Sequence, residues 1–193
     1  MATEANPIGR KPRADAERNR LKLLAAARAA FTAQGELVSM EEVARSAGVG
    51  IGTLYRHFPN RNDLVVEVYR NEMARLLEAA RNLSGTDEPL EALRLWLLLF
   101  VDHLADNIIL ADALQALVGD KAKDDAAATE QLSEALDLLV ARPVSNGEIP
   151  DPGIDPLDLL RTLYGVATAT PGVEWPKAAR RMVDILINGM KAG

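Results

Sequence analysis

Two stretches of this chain concentrate side chains that could do chemistry. The first is Ser39 to Asp63, SMEEVARSAGVGIGTLYRHFPNRND. Ser39 opens it and Glu42 follows three residues later. That is the spacing of a capping box, in which each side chain satisfies the other residue's free backbone N–H. Val43, Ala44 and Ala47 supply a narrow apolar face. Gly48 must end this helix, because glycine tolerates the left-handed conformation of a helix stop. A second short helix starts at once. With Gly50 as its cap, Val49 and Leu54 have the spacing of a hydrophobic staple. Leu54 and Phe58 are four apart and share its buried side. Pro59 forbids continuation. Asn60 then caps a longer helix, with Asp63 at its third position. Two short helices joined by a glycine turn over one small core make a helix-turn-helix.

Unrolling the second helix at about 100° per residue separates its buried and outward faces. With Leu54 at zero, Phe58 falls near about 40°, Gly52 near about 160°, Arg56 near about 200° and Thr53 near about 260°. The outward face therefore offers Gly52, Arg56 and Thr53, with Tyr55 and His57 at its edges. Glycine permits close backbone approach. Thr, Tyr and His donate to phosphate oxygens, and arginine forks onto guanine in the major groove. The same residues would also serve as an ordinary solvated helix face.

The second stretch lies in the rest of the chain. The segment Leu90 to Leu104 is apolar nearly all round, so it is expected to be central. It carries Trp96, Phe100 and His103. Leu110, Leu114 and Leu117 follow, and Tyr164 comes from further along. Trp96, Phe100, His103, Leu114 and Tyr164 could line an effector pocket with a few polar anchors. A well-filled core would show the same pattern. Catalytic readings find no support. The chain holds two histidines, His57 and His103, and no cysteine. His103 lies near Asp102 and Asp106 without an HExxH or similar ligand spacing. There is no GxSxG elbow. Gly48-Val49-Gly50-Ile51-Gly52 follows a helix and lacks a lysine–serine or lysine–threonine pair, so it is not a nucleotide loop. No enzyme activity, metal or cofactor is expected.

The elements that must position these residues are helical throughout. The spacing predicts helices near 18–34, 40–47, 51–58, 61–82, 88–105, 107–118, 124–141, 156–169 and 176–190. Their breaks are chemically explicit: Gly35, Ser84-Gly85, the proline-rich stretch Arg142 to Gly153, and Thr170-Pro171-Gly172. Residues 1–17 lack periodicity and are expected to be a disordered basic arm. Residues 18–62 form a three-helix DNA-binding head, and 63–193 a helical body. The net charge is −6, but its distribution is uneven. Residues 1–61 carry ten Lys and Arg against six Asp and Glu, while 62–193 carry twelve against twenty-two. A basic head on an acidic body suits a protein whose head alone meets phosphate. No secretory leader is visible, and the apolar run Leu95 to Val101 is far shorter than the ~18 residues of a membrane span. A cytoplasmic protein is expected.

The run AGVGIGTLYRHFPNRNDL resembles the DNA-binding signature of the TetR family of bacterial helix-turn-helix transcriptional regulators. The resemblance covers roughly residues 18–77, including Ala27, Phe31, Gly35 and Ser39. It implies that the TLYRHF helix lies in the major groove of double-stranded DNA. It implies phosphate contacts from Ser39, Thr53, Tyr55 and His57, and base contacts from Ile51, Gly52 and Arg56. Arg61 stands where the family often has a lysine that serves a phosphate. Gly50 stands where serine is common, which weakens the helix cap. The resemblance also implies a homodimer on a palindromic operator, built by the last two helices through residues such as Leu157, Leu160, Leu163 and Tyr164, and Met182, Ile185, Leu186 and Gly189. The expected function is a transcriptional regulator, in the commoner form a repressor released by a small-molecule effector. The alternative is a DNA-binding factor without small-molecule control, architectural or partner-regulated.

Overall fold

A computed structural model of the protein describes residues 10–34, 38–106, 126–169 and 174–192, and the regular structure among them is all helical. In chain order the described helices are α1 (Arg10–Gln34), α2 (Met40–Ala47), α3 (Ile51–His57), α4 (Arg61–Leu83), α5 (Pro89–Asp106), α6 (Ala126–Ser145), α7 (Pro156–Ala169) and α8 (Trp175–Ala192). The helix expected at 107–118, the glycine stop at Gly35 and the break at residues 170–172 lie outside the described residues. No described helix is long and apolar enough to cross a membrane. The chain divides into two compact units, Met1–Val68 and Tyr69–Gly193. The division falls within α4, past residue 62 where the head was expected to end.

The head unit is organised by one small core. Leu23, Leu24, Ala27 and Phe31 of α1 recur at helical spacing and are buried, as are Val43 and Ala44 of α2 and Leu54 of α3. Phe58, Leu64 and Val68 complete it. α1 packs on both α2 and α3, and α2 on α3. α1 begins at Arg10, so residues 10–17 are helix and not part of a disordered arm. A run of Arg, Lys, Ala and Glu through this stretch has good helical propensity and continues a helix already held by its buried stripe.

The body unit wraps α5. This helix packs against α6, α7 and α8, and α7 packs against both α6 and α8. Trp96 and Phe100 are fully buried and stack at 5.9 Å with a 12° interplanar angle. The Trp96 indole N–H donates to the Leu76 carbonyl at 2.9 Å, which ties α4 to α5. α6 runs further than expected. It includes Pro143 and reaches Ser145, where a loop from Arg142 was predicted. Pro143 has no N–H to give the Leu139 carbonyl, and the helix stops two residues further on. Glu148 N–H reaches the Pro143 carbonyl and Gly147 N–H the Val144 carbonyl, with Gly147 at φ 72°. This pairing is a Schellman stop, which satisfies the last carbonyls.

One polar cluster is sealed inside the body. His103 Nε2 lies 3.1 Å from Glu72 Oε2, and both side chains are nearly inaccessible to solvent. Its Nδ1 faces the Leu99 carbonyl at 3.0 Å. Arg75 Nη1 approaches the other Glu72 oxygen at 3.4 Å. Both ring nitrogens of His103 face oxygen atoms, one on Glu72 and one on the Leu99 backbone. Removing one member of such a pair leaves a buried charge, whereas replacing both by apolar groups removes the desolvation cost as well. His103→Ala should lower stability by about 3–5 kcal/mol, and Glu72→Met with His103→Leu should be near neutral or stabilising. Urea unfolding of both variants checks this. An apolar pair as damaging as His103→Ala would contradict it.

Candidate nucleic-acid interface

α2 starts and stops as its sequence dictates. Ser39 Oγ accepts from the Glu42 backbone N–H at 3.2 Å. Glu42 turns its own carboxylate to Gln34 Nε2, at 2.8 Å. The forward half of the expected capping box is thus in place, while the end of α1 supplies the partner for the glutamate. Gly48 adopts φ 64°. Its N–H reaches the Arg45 carbonyl, and the Val49 N–H the Ala44 carbonyl at 3.0 Å. This closes α2 and frees the chain to start α3 at Gly50, which caps without a side chain. α3 ends at Phe58, whose extended backbone is the conformation favoured before Pro59. Asn60 Oδ1 then accepts from the Asp63 N–H at 2.9 Å, and Asn60 Nδ2 donates to Asp63 Oδ2 at 2.7 Å. This exchange starts α4.

Between these fixed ends α3 presents a defined arc. Leu54 is buried, Thr53 and His57 are half-buried, and Ile51, Gly52, Tyr55 and Arg56 are exposed. The outward sector therefore differs from the one predicted. It runs from Ile51 through Tyr55 and Gly52 to Arg56, and Thr53 lies at its margin. The His57 ring leans on Phe58, with centroids 6.2 Å apart, which draws that flank toward the head core. Among the described residues no hydrogen bond or ion pair engages Arg56. Gly52 sits mid-arc with negative φ, and a Cβ built on it would meet nothing within 4 Å. Neither backbone strain nor internal space accounts for glycine there.

The margins of this surface carry the remaining expected residues. Ser39 is exposed. Arg61 is half-buried, with its guanidinium 5.4 Å from the centroid of the Phe31 ring. A cation in the first turn of a helix opposes its dipole, at a cost of about 0.3–1 kcal/mol. A cation–π contact of about 0.5–1 kcal/mol offsets that cost. The Phe31 ring lies thirty residues earlier on α1, too far along the chain for spacing to connect it with Arg61. Of the basic residues near the start of the chain, Arg18 pairs with Asp15 at 3.2 Å and Arg20 bonds Glu67 of α4. Arg10, Lys11 and Arg13 open α1, and their side chains lie outside what is described.

Two family models match this chain. The model of bacterial regulatory proteins of the tetR family covers residues 23–68, and that of the SbtR-like transcriptional regulator C-terminal domain covers 88–192. The chain belongs to the TetR family of transcriptional regulators. It is 30% identical over 154 residues to the HTH-type transcriptional repressor KstR of Rhodococcus jostii, covering 79% of this chain and 71% of that one. To KstR of Mycobacterium tuberculosis it is 28% identical, over 69% of this chain and 62% of that one. A TetR transcriptional regulator from Streptomyces coelicolor has a similar solved structure, with TM-score 0.71 and 37% identity over 89% of this chain and 97% of that chain.

Of the body residues expected to line a pocket, four fall among the described residues of this TetR-family chain. Trp96 and Phe100 are part of the close-packed core, Tyr164 is half-buried against it, and His103 is held by Glu72. Leu114 lies outside the described residues. An open cleft of about 980 Å³ lies elsewhere, between the start of α5 and the end of α8. Its lining is mostly charged and includes Glu88, Glu91, Arg94, Glu148, Asp184 and Lys191. Arg94 bonds Asp184 and Glu91 across it, and these bonds, Asp184 first, hold its guanidinium above its ordinary value. Glu72 was also missed. Its signal was available, because it stands four residues from both Val68 and Leu76 on the apolar stripe of α4.

Gly52 gives the sharpest test of the interface. Gly52→Ala should raise stability by about 0.5–1 kcal/mol, since an exposed helical glycine is entropically costly. It should weaken DNA binding by about 1–3 kcal/mol, since the new methyl occupies a close contact. Unfolding and DNA titration on one preparation check the opposite signs. Unchanged DNA affinity would show that the backbone at Gly52 does not approach DNA.

Proposed function

We propose that this protein is a homodimeric repressor whose two heads place α3 in successive major grooves of a palindromic operator. The single observation that carries the reading is the exposed arc Ile51, Tyr55, Gly52 and Arg56 on a helix whose other side is buried. Base-facing roles fall to Ile51, Gly52 and Arg56, and phosphate-facing roles to Ser39, Thr53, Tyr55, His57 and Arg61. The groove-reading helices of such a dimer sit about 34–36 Å apart, one turn of DNA. The pairing surface falls to α7 and α8. Ile185 is the most exposed large apolar residue of the described chain, at 61%, and an apolar residue so placed on a closing helix suits burial against a second copy.

For control we propose a small-molecule effector that binds the DNA-incompetent arrangement of the dimer more tightly and so releases the operator. Trp96, Phe100, His103, Leu114 and Tyr164 are the side chains assigned to it. A specific observation favours a second reading, in which the protein is controlled without a small molecule. Among the described residues Trp96 and Phe100 are buried in the core, and the cleft beside α5 and α8 is open and charged. Operator release by a screened compound, with loss of that release in His103→Ala, would support the first reading. The absence of any releasing compound would support the second.

The DNA-reading claim is tested on the duplex that the full-length protein selects from a randomised pool. Sedimentation should find two chains of 20.9 kDa on each palindrome. Arg56→Ala should cost about 1–3 kcal/mol on that duplex and relax preference at one base pair per half-site. Equal weakening on selected and scrambled DNA would remove Arg56 from base reading. A lone chain on the duplex would contradict the dimer.

A further inference from the structure

The arc on α3 is chemically asymmetric. At one end is Arg56, a cation without an intramolecular partner among the described residues. At the other is Ile51, which is 39% exposed and absent from the buried core of the head. Its apolar side chain is left partly in water. Tyr55 lies one turn further on, about 40° round the helix from Ile51, and is 42% exposed. The two form one apolar stripe, with the phenol hydroxyl at its rim.

The floor of a major groove offers hydrogen-bond donors and acceptors at every base pair. It offers a single apolar feature, the C5-methyl group of thymine. An apolar stripe on a groove-reading helix has that group as its complement. Gly52 lies between Tyr55 and Arg56 around the helix, and open space above it lets the backbone come near. A short side chain such as isoleucine reaches base edges only if the backbone does approach.

We propose that Ile51, flanked by the ring of Tyr55, reads a thymine C5-methyl in each half-site. The inference rests on the proposed DNA-reading role of α3 and adds the base class that its apolar end recognises. The arc then discriminates by two separate chemistries, a guanidinium fork at Arg56 and methyl burial at Ile51.

The test replaces each thymine of the selected duplex, one at a time, by deoxyuridine. This removes one methyl and leaves pairing, phosphates and the O4 acceptor in place. At one thymine per half-site the wild-type protein should lose about four-fold in affinity, the worth of one buried methyl-sized group. Ile51→Ala should bind thymine and uracil duplexes equally at that position, and Ile51→Val should retain part of the difference. An unchanged wild-type affinity on every uracil duplex would overturn the proposal, as would a uracil effect that persists in Ile51→Ala. Selection of half-sites without thymine would also overturn it. In all three cases specific DNA binding remains, so the reading of α3 as the DNA helix survives. Failure of the wild type to prefer the selected duplex over scrambled DNA would overturn both.

Discussion

Between Ala47 and Gly50 the chain ends one helix and begins another. The turn depends on Gly48 at φ 64°. Space is not the constraint there, because a Cβ would meet nothing within 4 Å. The constraint is the left-handed backbone itself, which costs an ordinary L-residue roughly 1–2 kcal/mol. The turn lets the Val49 N–H fold back on the Ala44 carbonyl and sets the direction in which α3 leaves. Leu54 then enters the core shared with Phe31 and Val43. Once Leu54 is fixed, the positions of Ile51, Gly52, Tyr55 and Arg56 follow from helix geometry. The exposed arc is thus a consequence of one turn and one anchor.

Much of this was legible because the signals are local. Ser39, Gly48, Asn60 and Asp63 act within three or four residues of themselves, and the expected bounds of α2 and α7 match the structure. What was not legible depends on partners far along the chain. The Phe31 ring under Arg61, the Gln34 amide on Glu42 and the Glu72–His103 pair each join residues that periodicity does not connect. The arc on α3 was misjudged by part of a turn for the same reason. The wheel fixes angles within the helix, but contact with α1 and α2 decides which of Thr53 and Tyr55 is covered. At Pro143 the local rule was read too strongly. Pro143 forfeits one backbone bond, but the packing of α6 on α5 and α7 holds the helix for two residues past it.

The charge pattern gains a physical meaning from this arrangement. The acidic excess lies in residues 62–193, and several of its carboxylates face the cleft beside α5 and α8. Such a surface repels phosphate, so productive encounters favour the basic head. The polar pair inside the body has a different part. Glu72 lies on α4, the helix that also contributes Leu64 and Val68 to the head core. A bond between Glu72 and His103 therefore fastens to the body a helix that the DNA-binding unit shares.

If α3 reads the major groove as proposed, exchanging groove atoms one at a time in the selected duplex shows it most directly. Replacing guanine by 7-deazaguanine removes the N7 acceptor from the major groove, and replacing it by hypoxanthine removes the 2-amino group from the minor groove. 7-Deazaguanine at one position per half-site should cost about 1–3 kcal/mol, while hypoxanthine at the same position should leave affinity unchanged. The reverse pattern, with sensitivity to hypoxanthine alone, would contradict it.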